Sequence, residues 1–136
     1  MTKICTSIEQ SKELLELGID VNTADMHYQW YSETESALHV GKGSKKLNAD
    51  CPAWSLSALM SLLPSDFTRE GKFGTFTYEI HIRKYRLTAD IDVHQIAYGN
   101  YGSSGTWSDM INTGEYENLI DAAFKMVVWL KENNVL

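Results

Sequence analysis

TFTYEIHIRKY, Thr75 to Tyr85, is the stretch that decides the fold class. Phe76, Tyr78, Ile80 and Ile82 alternate with Thr75, Thr77, Glu79, His81 and Arg83, so an extended chain here has one apolar and one polar face. That period of two marks a half-exposed antiparallel strand, whereas parallel strands covered on both faces read as continuous apolar runs. Downstream, DVHQIAYG, Asp92 to Gly99, is a second strand candidate, with a chain reversal near Thr88 to Asp90. NYGSSGTW then reads as a glycine- and serine-rich loop leading to a short strand around Trp107.

The flanking segments have the helical period. LIDAAFKMVVWLKENN follows Asn118, a good cap, and almost every position from Leu119 to Leu130 is apolar. Asp121, Lys125, Val128 and Glu132 form the narrow outward stripe, with Asp121 and Lys125 a favourable i,i+4 pair. Such a helix is expected to be buried round most of its circumference and to be central to packing. In PAWSLSALMSLLP, Pro52 to Pro64, Leu56, Leu59, Met60 and Leu63 share one helical face and Pro64 ends the helix. Its start is expected either at Pro52, suited to a first helical position, or after Ser55 as cap. Near the amino terminus, Thr6 and Glu9 form a capping-box pattern, and Ile8, Ser11, Leu14 and Leu15 lie on one side of the helix that follows. Gly18 ends that helix and Ile19 can fold back onto its last turn.

Between these two helices, ADMHYQWY and ALHV suggest a hairpin across SETES, and KGSKKLNAD a flexible basic connection. No repeat and no compositional boundary interrupts the chain. The expectation is one α+β domain spanning residues 1–136, with an antiparallel sheet, about three helices and the C-terminal helix central.

Composition narrows the function classes. With 136 residues, 43% apolar and 22% charged, the chain has the profile of one globular domain with a substantial core. Its net charge of −6 weakens long-range attraction to nucleic acid or an anionic membrane. No segment approaches the roughly 20 apolar residues that span a bilayer. MTKICTSIEQSKELL has no apolar run or small-residue cleavage site, which argues against a secretory leader. Cys5 and Cys51, far apart in sequence, read as thiols in a reducing compartment, so the expected location is the cytoplasm.

No local motif supplies chemistry. His27, His39, His81 and His94 fall in separate predicted strands without HxH, HExxH or CxxC spacing, so no metal site is expected. Cys51 stands just before Pro52, where a helix N-terminus would favour thiolate, yet nothing local provides a base held by a third group. There is no GxSxG or SxxK pattern. Gly99, Gly102 and Gly105 lack the lysine and following helix of a phosphate loop. Asp20 to Asp25 lacks the central glycine of a calcium loop and reads as an Asx-type turn. No catalytic residue and no cofactor are therefore expected. Arg83, Lys84 and Arg86 beside Tyr85, with Lys42, Lys45 and Lys46, make two small basic clusters, but charge and motif content argue against nucleic acid.

TADMHYQWY, Thr23 to Tyr31, has the densest aromatic content. In a strand, Met26, Tyr28 and Trp30 share one face, while His27, Gln29 and Tyr31 share the other. Core packing is the simpler account of the first face. The binding account makes Tyr28 and Trp30, with Trp54, a contact surface, because such rings bury much area around one polar handle.

Taken together, IEQSKELLELGID, TADM, PAWSLSAL and AAFKMVVWL resemble a group of small proteins from gut bacteria and their phages whose members have no assigned activity. The resemblance does not extend over Gly71 to Met110. It implies a phage or mobile-element setting and carries no site residue. Two functions are expected in turn. The first is a non-enzymatic protein-interaction or regulatory accessory module with a protein partner. The alternative is a small-molecule-binding domain or cryptic hydrolase in a helix–sheet cleft, drawing on Cys51, His81, His94, Asp90 and Asp92.

Overall fold

The computed structural model describes residues 3–30, 35–41 and 51–136. Tyr31, residues 32–34 of the SETES turn, and the basic connection with Lys42, Lys45 and Lys46 lie outside the described residues. The fold is α+β: two antiparallel sheets and, among the described residues, three helices. The chain forms two compact units, residues 1–62 and 63–136, each with its own sheet.

In the first unit, α1 spans Ile8–Glu16. Its cap is Ser7, one residue later than the TSIE pattern places it. The Ser7 hydroxyl accepts from the Gln10 N–H at 3.1 Å, and the Gln10 side chain accepts from the Ser7 N–H at 3.0 Å. Thr6 is fully buried instead. Its N–H donates to the Trp54 carbonyl at 2.9 Å, and its hydroxyl accepts from the Trp54 N–H at 3.0 Å and sits 2.8 Å from the Ser11 hydroxyl. A threonine occupied in this way cannot also cap the helix. Leu14 and Ser11 face inward, as the pattern predicts, but Leu15 is exposed. Gly18 ends α1 with a φ of 86°, and the Ile19 N–H returns to the Leu14 carbonyl.

Three strands follow: β1 (Met26–Trp30), β2 (Ser36–Val40) and β3 (Cys51–Ala53), in the order β2-β1-β3. The predicted hairpin is present, pairing Met26 with Val40 and Trp30 with Ser36. Pro52 does not start a helix; it lies in β3 opposite His27, and α2 spans only Leu56–Leu62. Ser55 takes the capping role. Its hydroxyl accepts from the Ala58 N–H and its carbonyl from the Leu59 N–H, while Asp25 accepts from both the Ser55 N–H and hydroxyl. The stretch from Asp20 is the expected Asx-type turn, with the Asn22 N–H on the Asp20 carboxylate at 2.9 Å.

The second unit holds β4 (Asp66–Gly71), β5 (Gly74–Arg86), β6 (Asp92–Tyr101) and β7 (Trp107–Asn112) as an antiparallel meander in chain order. β4 pairs with the first part of β5, from Gly74 to Glu79, and β6 with the second part, from Glu79 to Arg86. The helix α3 (Leu119–Glu132) packs against β6 and is capped by Asn118, whose side chain accepts from the Ile120 N–H at 2.8 Å. Eight of its residues are buried, including Val128, which the sequence pattern places in the outward stripe. Lys125 and Glu132 remain exposed. On the helix-covered side of the sheet, Ile96 and Tyr98 are buried, Phe67 lies 4.9 Å from the Tyr98 ring, and the Arg69 guanidinium stands 5.7 Å from Trp129. Burying side chains of this size supplies about 1.5–3 kcal/mol each, which makes α3 and β6 the core of the unit.

Two variants separate the cap of α1 from the buried hydroxyl beside it. Ser7→Ala loses one helix-capping bond and is expected to cost about 1 kcal/mol. Thr6→Val leaves the buried Trp54 N–H without an acceptor and is expected to cost about 2 kcal/mol. Urea unfolding of both variants measures the order; a larger loss at Ser7 would contradict this assignment.

Candidate functional site

Of the three residues expected to offer a contact surface, Tyr28 and Trp30 share one face of β1, while Trp54 follows β3. Trp54 is 0% exposed, and its indole N–H donates to the Thr23 hydroxyl at 2.9 Å. Tyr28 is half-buried; its hydroxyl donates to the Thr6 carbonyl at 2.9 Å and lies 3.4 Å from the Cys5 sulfur. Burial first, then the Cys5 contact, pushes the Tyr28 phenol well above its ordinary pKa. Trp30 is half-buried at the end of β1. On the other face His27 stacks on His39, with centroids 5.3 Å apart, and its Nδ1 lies 2.8 Å from the Gly41 carbonyl.

The alternative set draws on both units. Cys51 is buried in β3 of the first unit, and burial raises its thiol pKa, favouring the neutral form over thiolate. His81 pairs with Ala97 and His94 with Lys84, so these two histidines are not opposite each other. They also project to opposite sides, because their positions on the paired strands fall in alternate sets. Asp90 lies in the exposed β5–β6 turn, and Asp92 sits beside Lys84 and Arg86 at 3.8 and 3.5 Å. Among the described residues no group of three or more His, Cys, Asp or Glu is placed to hold a metal ion.

The structure does assemble a cluster on the side of the second sheet opposite α3. Trp107 of β7 stacks on His81 of β5, with centroids 3.4 Å apart and planes within 8°. Tyr101 meets Trp107 edge-on at 5.2 Å. The intervening strand allows this because position 99 is glycine. A Cβ there would lie 2.8 Å from the Trp107 ring and 2.1 Å from the Ser108 carbonyl oxygen, beside the register shift after Tyr98.

Asp109 fastens the cluster. Its carboxylate accepts from Arg83 Nη2 at 2.5 Å, Trp107 Nε1 at 2.7 Å and Asn112 Nδ2 at 3.0 Å. The Arg83 bond is the largest influence, and the set brings the Asp109 pKa down to about 2. Beyond Arg83, the Glu115 carboxylate near the Tyr85 hydroxyl raises the phenol pKa. With both oxygens engaged, Asp109 is an acceptor that orients its neighbours rather than a free base. The cluster is thus a braced surface of rings and amides suited to contact, with no nucleophile in it. Trp107, Asp109, Asn112 and Tyr101 carry no local motif; the glycine inside an otherwise strand-like run is the one sequence signal that points there.

Comparison with protein-family models, with curated proteins and with solved structures gives no match. Among the described residues no helix is long and apolar enough to cross a membrane.

Gly99→Ala is expected to lower stability by about 2 kcal/mol or more, since the obstructing atom is backbone. An unchanged thermal midpoint would show that the close approach of β7 to Gly99 is absent. Asp109→Asn is expected to cost about 1 kcal/mol at pH 7, a modest figure because the group faces solvent. The folded pKa lies below the unfolded one, so the carboxylate's contribution is full above about pH 5 and fades as pH falls through about 2. Chemical denaturation between pH 7 and pH 2 should show the two proteins converging; a gap independent of pH would contradict the ionised hub.

Proposed function

We propose that the protein is a non-enzymatic interaction module that binds another protein through the four-stranded sheet of its second unit. The observation that supports this most is the distribution of exposed large apolar side chains on that sheet. Phe73 at the β4–β5 turn is 89% exposed and Tyr101 at the end of β6 is 59% exposed, with Phe76, Ile82, Tyr85, Leu87 and Met110 also outward. Isolated exposed apolar residues are ordinary; here Tyr85 and Tyr101 lie on the face of the braced ring cluster, Phe76 and Ile82 on the opposite face and Phe73 at the turn, so the sheet offers exposed apolar groups on both faces and at its tip. The resemblance of IEQSKELLELGID, TADM, PAWSLSAL and AAFKMVVWL to phage and gut-bacterial proteins supports an accessory role for a phage or mobile element.

The alternative of a hydrolase or small-molecule cleft gains no support from the positions of His81, His94, Asp90 and Asp92, which converge on no common point.

Affinity capture with the full chain from an extract of the source organism tests the proposal. The expected result is a stoichiometric protein that survives nuclease treatment and moderate salt. A Phe73→Ser/Tyr101→Ala double variant, altered only at exposed positions, should retain about tenfold less of it. Recovery of nucleic acid alone, released by salt, or equal recovery by the double variant would contradict the assignment.

A further inference from the structure

We propose that the outer edge of β5, from Ile82 to Arg86, is a strand-addition site for an extended, acidic segment of the partner protein. This rests on the interaction-module reading and specifies the mode of contact and the chemistry of the partner. The backbone parity is fixed by two observations. The Ile80 N–H donates to the Ser65 carbonyl at 3.0 Å, so Ile80 points its backbone groups to the β4 side. On β6, His94 exchanges backbone bonds of 2.6 and 2.9 Å with Tyr116, away from β5, and His94 is the register partner of Lys84. Residues paired in this way direct their N–H and C=O groups outward on both strands.

Ile82, Lys84 and Arg86 therefore present three N–H and three C=O groups to the outer edge. The pairing of β4 with β5 ends at Asp66 and Glu79, and among the described residues no strand continues it. Arg83 and Tyr85, turned the other way, complete the ladder with β6. An edge with free donors and acceptors at alternate residues is the surface that accepts an added strand. The side chains flanking it are exposed: Ile82 is 48% exposed, and Lys84, Tyr85 and Arg86 are outward as well.

Charge selects the occupant. On the face that carries Ile82, the cations of Lys84 and Arg86 share one carboxylate, Asp92, at 3.8 and 3.5 Å, while Glu115 acts on Tyr85, which projects from the other face. A second copy of this chain is disfavoured. Antiparallel pairing of two such edges about Lys84 sets Lys84 against Lys84, with like charges directly opposite. A segment with acidic residues facing Lys84 and Arg86 and an apolar residue facing Ile82 meets all three positions.

The test uses the full chain and a dye-labelled peptide with glutamate, glutamate and valine at successive alternate positions and threonine between them, which places all three on one face, with a control of equal length carrying lysine for each glutamate, followed by fluorescence anisotropy. The acidic peptide should bind and the basic one should not. Lys84→Pro removes an N–H that the native ladder does not use and should weaken binding about tenfold or more. A Lys84→Glu/Arg86→Glu double variant, which keeps the backbone, should reverse the preference toward the basic peptide. Equal binding of both peptides, binding of neither, or an unchanged preference in the charge variant overturns the proposal. So does a dimer in sedimentation that Lys84→Pro dissolves, or tighter binding of labelled oligothymidylate than of the acidic peptide. The edge and the module are separable: if both Lys84 variants still capture the protein partner at full yield, the edge assignment fails while the interaction-module reading stands.

Discussion

The pairing of Glu79–Arg86 with Asp92–Gly99 is the constraint on which the second unit depends. β5 is 13 residues long, roughly 43 Å at the usual rise per residue, and neither neighbour matches it. β4 takes its first part and β6 its second, and the two regions meet only at Glu79. Because side chains alternate with a period of two, a slip of one residue would turn His81 and Arg83 toward α3 and Tyr78 and Ile80 away from it. The register thus fixes together the helix-covered core, the ring cluster over Gly99 and the outer edge that, among the described residues, no strand pairs.

The first unit depends on a different constraint. Thr6 is buried, and its backbone and hydroxyl together engage Trp54, Ser11 and Tyr28. Each of these polar groups would be costly to bury alone, and each is satisfied by the others. That network ties the Tyr28 hydroxyl and the Trp54 backbone into the interior of the first unit. The braced ring cluster, by contrast, is drawn from three strands of the other sheet.

Much of the architecture was legible because it rests on periodic patterns. The alternation in Thr75 to Tyr85, the apolar run from Leu119 to Leu130, and the stops at Gly18 and Pro64 each express a local physical rule. What was not legible had no local expression. β4 has little buried face, so DFTREG shows no alternation that would mark it. Ser7 and Thr6 are both competent caps, and only the tertiary position of Trp54 decides between them. Val128 belongs by period to the outward stripe but is covered. Pro52 fits a helix start by propensity, yet β3 uses it in a three-residue strand. Asp109 and Arg83 are 26 residues apart in sequence and joined only by register, so no motif could announce them.

Beyond Glu79, β5 pairs with β6 along one edge and, among the described residues, with no strand along the other. Residue-resolved amide hydrogen exchange on the free, full-length protein tests it most directly. Alternation is the expected result, with the amides of Arg83 and Tyr85 protected and those of Ile82, Lys84 and Arg86 exchanging at near-unprotected rates. Uniform protection from Ile82 to Arg86 would show that the edge is already covered, and uniform rapid exchange that the β5–β6 ladder does not form; either would contradict the account.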